Sequence, residues 1–268
     1  MTDFLYPLLS RIRIVLVETS HPGNVGSVAR AVKNMGLSEV ILVNPLLPDV
    51  QTQPEAISLA SGAGDVLAAM RVVPDLTTAL VGCDWAIALS ARARELTPSF
   101  LVPRTAAQET IQHLSSQPNA RIAFVFGNER VGLSNEHVLQ CQRFCTVPVN
   151  EAYPSLNLSQ AVQIISYECR QTALASAEKN TSSEVIQPTN NLVTVEQMEQ
   201  FYAHLQEALI ASGFLNLNHP KKLMPRLRRY FGRSLPEQEE WQLLRGICTS
   251  ILQLANRAAP ANEKERHD

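Results

Sequence analysis

The sequence predicts an α/β protein, a mostly parallel sheet with helices on both faces, followed by a small all-α region. Three observations carry this. Short, nearly continuous apolar runs recur between residues 12 and 149, the pattern of strands buried on both faces. Helical stretches alternate with those runs, as the crossovers of a parallel sheet require. After about residue 192 the strand pattern stops and helical periodicity alone remains.

The strand segments are IRIVLVE (12–18), VILVN (40–44), WAIALS (85–90), IAFVFG (122–127) and CTVPV (145–149). Helices are expected near 24–35, 54–60, 75–81, 105–116 and 134–140, then a longer one over about 158–177. In the first of these, Val25, Val28, Val32 and Met35 form one apolar stripe, and Gly36 is a natural stop. Ser134 is placed to start the fifth. Residues 178–192 (EKNTSSEVIQPTNNL) are polar and lack aromatics, so they read as a linker. The chain thus divides into an α/β domain over 1–177, a linker over 178–192 and a helical domain over 193–268. In the last, helices are expected near 194–212 and 237–257, with Thr194 and Gln197 as a capping box and Gly213 as a stop. Between them, Pro220, Pro225 and Pro236 predict broken helix and loop.

Composition narrows the function. The chain has 268 residues, 45% hydrophobic, enough for a packed core and too many for global disorder. No apolar run approaches the roughly 18–20 residues that span a bilayer, so no membrane partner is expected, and the first residues lack the basic region of a signal peptide. Five cysteines without a Cys-x-x-Cys pair fit reduced thiols in a cytoplasmic protein. The six histidines show no metal-ligand spacing and no pairing with a nucleophile, so neither a metal site nor a Ser-His-Asp mechanism is expected. The net charge of −2 hides a local field: residues 208–235 carry Lys221, Lys222, Arg226, Arg228, Arg229 and Arg233 and no acidic residue. Such a cluster attracts polyanions whatever the global sum.

Ligands of open parallel sheets bind beyond the carboxyl ends of the strands. That rule selects ETSHPGNVGSVAR (18–30), LSARAR (89–94), GNERVGLSNE (127–136) and VPVNEAYPSLN (147–157). Gly23-Asn24 lies just before a helix, where free N–H groups meet anions and Asn24 is also an ordinary N-cap. The segment is neither a Walker A loop nor a dinucleotide fingerprint. Arg30 faces away from the Val25/Val28/Val32 stripe and on its own reads as a solvated arginine. Gly127 suits either a close approach to a ligand or a tight turn. Asn157 with Gln160 suits a capping box.

Together the segments resemble the three signature motifs of the SPOUT superfamily of RNA methyltransferases, in its TrmH-like 2′-O-methyltransferase branch. Motif one matches as Asn24-Val25-Gly26-Ser27 leading to Arg30, motif two as FVFGNERVGL (124–133), and motif three as Val147-Pro148 followed by SLNLSQAV (155–162). The match spans 11–170. The fuller run VETSHPGNVGSVARA, with LSARAR and a basic helical tail, is similar to the bacterial enzymes that methylate cytidine or uridine at anticodon-loop position thirty-two of tRNA. The resemblance implies a C-terminal trefoil knot, a homodimer packed knot against knot, and S-adenosylmethionine held in the knot by Leu89, Ser90, Ala91, Gly127, Val147, Pro154, Ser155 and Leu156. It implies Arg30 as the catalytic residue, with Asn24, Ser155 and Asn157 positioning it or the ribose. Arg92 and Arg94 at the rim and the 221–233 cluster are then the expected tRNA contacts. A sister enzyme acting on another tRNA or ribosomal RNA ribose, and a non-catalytic RNA-binding protein of the same fold, are the alternatives.

Overall fold

Four of the expected apolar runs form the centre of the sheet in a computed structural model, which describes residues 7–90, 100–180, 192–234 and 236–258. They are β1 (Ile12–Val17), β2 (Glu39–Val43), β4 (Trp85–Leu89) and β5 (Ile122–Phe126). Short edge strands β3 (Arg71–Val73) and β6 (Arg143–Cys145) complete it. Among the described residues the sheet has six strands, all parallel, in the order β3-β2-β1-β5-β4-β6.

Strand alternation builds two cores. Ile12, Ile14 and Leu16 point to one face, with Ile87, Phe124 and Phe126. That face is covered by α1 (Pro22–Met35), α2 (Pro54–Ala60), α3 (Gly64–Ala68), α5 (Pro103–Ser116) and α7 (Leu158–Asn180). Val15 and Val17 point the other way, with Ile41, Val43, Ala88 and Val125, under α4 (Leu76–Ala79) and α6 (Asn135–Leu139). The stripe Val25, Val28 and Val32 is fully buried, and Gly36 ends α1 in the left-handed region (φ 83°) that favours glycine.

Local differences from the expected elements have physical causes. α1 starts at Pro22, not Asn24, because proline at N1 is preset for the helix and the missing N–H costs nothing there. β6 lies at 143–145 instead of 145–149, and the chain leaves the ladder before Pro148, which has no N–H to give. β3 leaves no apolar run in the sequence because it is three residues long and lies at an exposed edge. The segment expected to be broken holds a continuous helix, α9 (Leu223–Ser234). Pro225 sits in its first turn, where no intrahelical donor is needed.

The helical region consists of α8 (Val195–Ala211), α9 and α10 (Gln238–Ala258), around Met198, Phe201, Tyr202 and Cys248. Thr194 and Gln197 form the expected capping box, and Gly213 follows the helix with φ 74°. The region docks on the α/β domain: Val195 N–H donates to the Cys83 carbonyl (2.9 Å), and its side chain joins the second core. Most of the expected linker, 181–191, lies outside the described residues. No described helix is long and apolar enough to cross a membrane.

At the amino ends of the strands, far from the loops selected by sequence, Glu39 gathers three arginines. Arg13, 5% exposed, binds it at 3.0 Å and also donates to the carbonyls of Ala79 (2.6 Å) and Val81 (2.8 Å). Arg71 reaches it at 3.2 Å, and Arg121 pairs with its other oxygen. Removing one member of a half-buried ion network leaves uncompensated charge, so Glu39→Ala is expected to cost about 3 kcal/mol in urea unfolding.

Candidate active site

The strand order reverses between β1 and β5, which is where open parallel sheets present their ligand crevice. The loops leaving these two strands lock together through side chains. Gly127, directly after β5, admits no Cβ: it would strike the backbone of Gly132 and Leu133. The glycine therefore serves the return of its own loop, closed by Gly132 N–H donating to the Asn128 carbonyl (2.8 Å). Buried Asn128 donates from Nδ2 to the Glu18 carbonyl (2.7 Å) and accepts at Oδ1 from the N–H groups of Arg130 (2.9 Å) and Val131 (3.3 Å). Glu18, directly after β1, has φ 52°, a conformation costing a non-glycine residue about 1 kcal/mol or more, and the Asn128 bond helps hold it.

Glu129 is the node of the site. Its carboxylate accepts from Thr19 Oγ1 (2.8 Å), Ser20 N–H (3.1 Å), Ser20 Oγ (3.1 Å) and Asn24 Nδ2 (3.0 Å). A longer bond comes from the His21 N–H (3.4 Å). The anion expected at the start of α1 is thus supplied by the protein itself, at a helix with no acidic residue in its first turn. Burial pushes this carboxyl up, but the hydrogen bonds led by Asn24 outweigh it and bring it down to about 2. A carboxyl depressed in the folded protein stabilises it above the ordinary value of 4.5, and this is lost as pH falls towards about 2. Acid titration of stability between pH 4.5 and 2 is therefore expected to be shallower in Glu129→Gln than in the parent.

The third loop joins through Asn157. Its Nδ2 donates to Asn24 Oδ1 (2.9 Å), while its Oδ1 accepts from Ser159 N–H (2.9 Å), Ser159 Oγ (2.7 Å) and Gln160 N–H (3.4 Å). Asn157 is therefore both the cap of α7 and a link to α1. Asn24, expected as an N-cap, instead lies inside the first turn of α1 and bridges Glu129 to Asn157. His21 occupies the cap position without a side-chain bond.

Beside this polar chain, at the carboxyl ends of β4, β5 and β6, lies a cavity of about 300 Å³. Leu89, Ser90, Gly127, Val147, Pro154, Ser155 and Leu156 all border it. Its wall also contains Phe126, Leu133, Leu158 and the polar Glu129 and Arg130. Mostly apolar walls with a few polar groups, at this volume, suit a small-molecule ligand. The cavity also borders Cys145, whose thiol burial pushes up to about 12, so it is no thiolate nucleophile near neutrality. All five cysteines are buried free thiols. Among the described residues no group of three or more His, Cys, Asp or Glu is placed to hold a metal.

Arg30 is exposed on α1 and does not border the cavity. Ala91, Arg92 and Arg94 lie outside the described residues. In the basic cluster, Lys221, Lys222, Arg226 and Arg233 are exposed and Arg229 is half-buried. Arg228 differs: it forms a two-pronged pair with Glu199 (2.6 and 2.8 Å) and lies over the Tyr202 ring at 4.4 Å. Its charge is matched by α8, a partner outside the acid-free stretch, and its place is in the helical core.

Two residues of the selected segment 127–136 were given no role by the sequence reading: Glu129 and Asn128. Their signal was a lone carboxylate after a buried strand, and a donor-rich loop, Thr19 to Asn24, without an acid of its own.

The chain is similar to known proteins along most of its length. The model of the SpoU rRNA methylase family matches residues 11–167, and that of the C-terminal domain of the tRNA methyltransferase TrmJ matches 196–262. The chain is 45% identical over 246 residues to the tRNA (cytidine/uridine-2′-O-)-methyltransferase TrmJ of Escherichia coli K12, covering 92% of this chain and 97% of that protein. TrmJ from Z. mobilis ZM4 superposes with a TM-score of 0.74 at 30% identity, over 89% of this chain and 98% of that one. A probable methyltransferase from Bordetella pertussis Tohama I has a TM-score of 0.60 at 43% identity, over 63% and 99% of the two chains. The chain belongs to the SpoU methylase family, in the group that carries the TrmJ C-terminal domain.

Proposed function

We propose that this chain transfers the methyl group of S-adenosylmethionine to the 2′-oxygen of a tRNA ribose, at the cytidine or uridine of anticodon-loop position thirty-two. One observation carries the reading. Three loops distant in sequence are tied by the Glu129–Asn24–Asn157 chain at the rim of a cavity whose border includes seven residues implied as cofactor contacts. Membership of the SpoU family and the likeness to the E. coli enzyme supply the reaction class and substrate.

The cavity fits the cofactor in volume and in chemistry, with apolar walls for a purine and polar groups at Glu129, Arg130 and Ser155. Ser90 N–H is already committed to the Cys145 carbonyl (3.0 Å), which fixes the β4 loop against β6 and so sets one wall. When bound, S-adenosylmethionine supplies a methyl group already activated by its sulfonium, so the protein's task is alignment, exclusion of water and removal of the ribose proton. Asn24 and Asn157 hold the motif-one and motif-three loops in fixed register for that alignment. Arg30 grips the ribose and its adjacent phosphate. A guanidinium offers only donors and no lone pair for a proton, so a phosphate oxygen or water takes the proton.

The trefoil threading and the homodimer implied by the family resemblance belong to the same reading, with the active site near the dimer interface. The basic cluster of the helical domain, without Arg228, holds the tRNA by its phosphates. The test is to incubate purified protein with S-adenosylmethionine and unmodified tRNA and to locate new methyl groups by mass spectrometry. A 2′-O-methyl group at position thirty-two is expected. A methyl elsewhere points to a sister enzyme, and none at all to a non-catalytic RNA binder.

A further inference from the structure

α9 presents two faces of opposite character. Its inner face is built into the helical domain. Phe231 meets Phe201 edge to face (5.0 Å between centroids), Gly232 is buried, and Arg228 is held by Glu199 and Tyr202. Along the exposed side Arg226, Tyr230 and Arg233 fall at i−4, i and i+3, one stripe of an α-helix, with Arg233 also at the edge of a crevice against the α/β domain. All three are exposed, Tyr230 at 62%.

The tyrosine is not a loose side chain. Its ring stands edge to face with Phe231 (5.2 Å, 83°), and Phe231 is itself fixed against the core. A large ring left mostly in water between two guanidiniums, on a helix with no acidic residue, adds little burial to the fold of the single chain beyond its edge on Phe231. The arginines lie about 10 Å apart along the helix axis, leaving the ring between them. Unpaired RNA is recognised by this combination: an aromatic face for a base and cations for the neighbouring phosphates.

The position fits. α9 lies against α6 and the turn that leads into β6, where Arg229, Gly232 and Arg233 share a small crevice with Val138, Gln142 and, from β6, Phe144. The next residue of that strand, Cys145, borders the main cavity from the opposite face of the sheet. One edge strand thus separates the outer helix from the proposed cofactor pocket.

We infer that Tyr230 is a stacking platform for an unpaired tRNA base, with Arg226 and Arg233 gripping the phosphates on either side. This rests on the proposed tRNA substrate and adds to it a residue that reads single-stranded character. The test compares full-length parent, Tyr230→Ala, Tyr230→Phe and Arg226→Ala in filter binding to unmodified tRNA and to a fully paired RNA duplex, each at two salt concentrations. Tyr230→Ala is expected to weaken tRNA binding roughly 10-fold without changing its salt dependence or the duplex affinity. Tyr230→Phe should stay within about 2-fold of the parent, since the ring and not the hydroxyl stacks. Arg226→Ala should weaken both RNAs and flatten the salt dependence. Parent-like tRNA binding by Tyr230→Ala overturns the platform while leaving the tRNA reading intact. So does an equal loss on tRNA and duplex. A parent protein with no affinity for tRNA overturns the substrate reading and the platform with it.

Discussion

Arg30→Ala is expected to lower kcat by about 1,000-fold or more while S-adenosylmethionine affinity stays within a few-fold of the parent. The two effects separate because of where the residue stands. Arg30 is exposed on α1 and outside the lining of the cavity, so its loss leaves the cofactor walls untouched. Methyl transfer to oxygen, by contrast, depends on holding the ribose in line and stabilising the charge that develops at the 2′-oxygen. Single-turnover methylation beside calorimetric titration of the cofactor measures both. Loss of cofactor binding in parallel with turnover would assign Arg30 a structural role instead.

Glu129→Ala is expected to be the most damaging change within the polar chain, although Glu129 need not touch a reacting atom. Its carboxylate accepts hydrogen bonds from Thr19, Ser20, His21 and Asn24, and its removal strands these donors, most of them partly buried, along the loop that leads from β1 into α1. A stability loss of about 2–3 kcal/mol follows from unsatisfied donors of this kind. Asn24 then loses the anchor that sets its orientation towards Asn157, and misplacement of about 1 Å costs on the order of 100-fold in kcat. Glu129→Gln retains one acceptor oxygen and should recover part of the stability. Denaturant unfolding and steady-state methylation of the three proteins check this: equal stability of parent and Glu129→Ala would remove the carboxylate from its place at the node.

The central strands were legible because strands buried on both faces leave continuous apolar runs, as IRIVLV and IAFVF do. Helix ends were legible where one residue decides them, as with Gly36, Ser134 and the Thr194–Gln197 box, and each of these serves as expected. β3 was not, because a three-residue exposed edge carries no such run. The continuity of α9 was obscured by Pro225, whose effect depends on falling in the first turn and not on its presence alone.

At the site, local reading of Asn24, Gly127 and Asn157 gave a cap, a tight turn and another cap. The turn and the second cap are there, but Asn157 also reaches Asn24 across 133 positions, a contact no local pattern encodes. The motif resemblance grouped these residues, and it grouped the cavity wall of Leu89, Val147 and Leu156, which composition alone would have left in the core. Arg228 shows the converse limit. Counting charges within one stretch gave it to the polyanion, whereas Glu199, on the preceding helix, claims it.

The most direct measurement uses two tRNA substrates identical except at one atom: unmodified tRNA, and the same tRNA carrying a single 2′-deoxynucleotide at position thirty-two. With radiolabelled S-adenosylmethionine, label is expected to enter the first and not the second, while both bind the protein with similar affinity. Equal labelling of the deoxy substrate would contradict the account, because the methyl group would then be going to an atom other than that ribose oxygen.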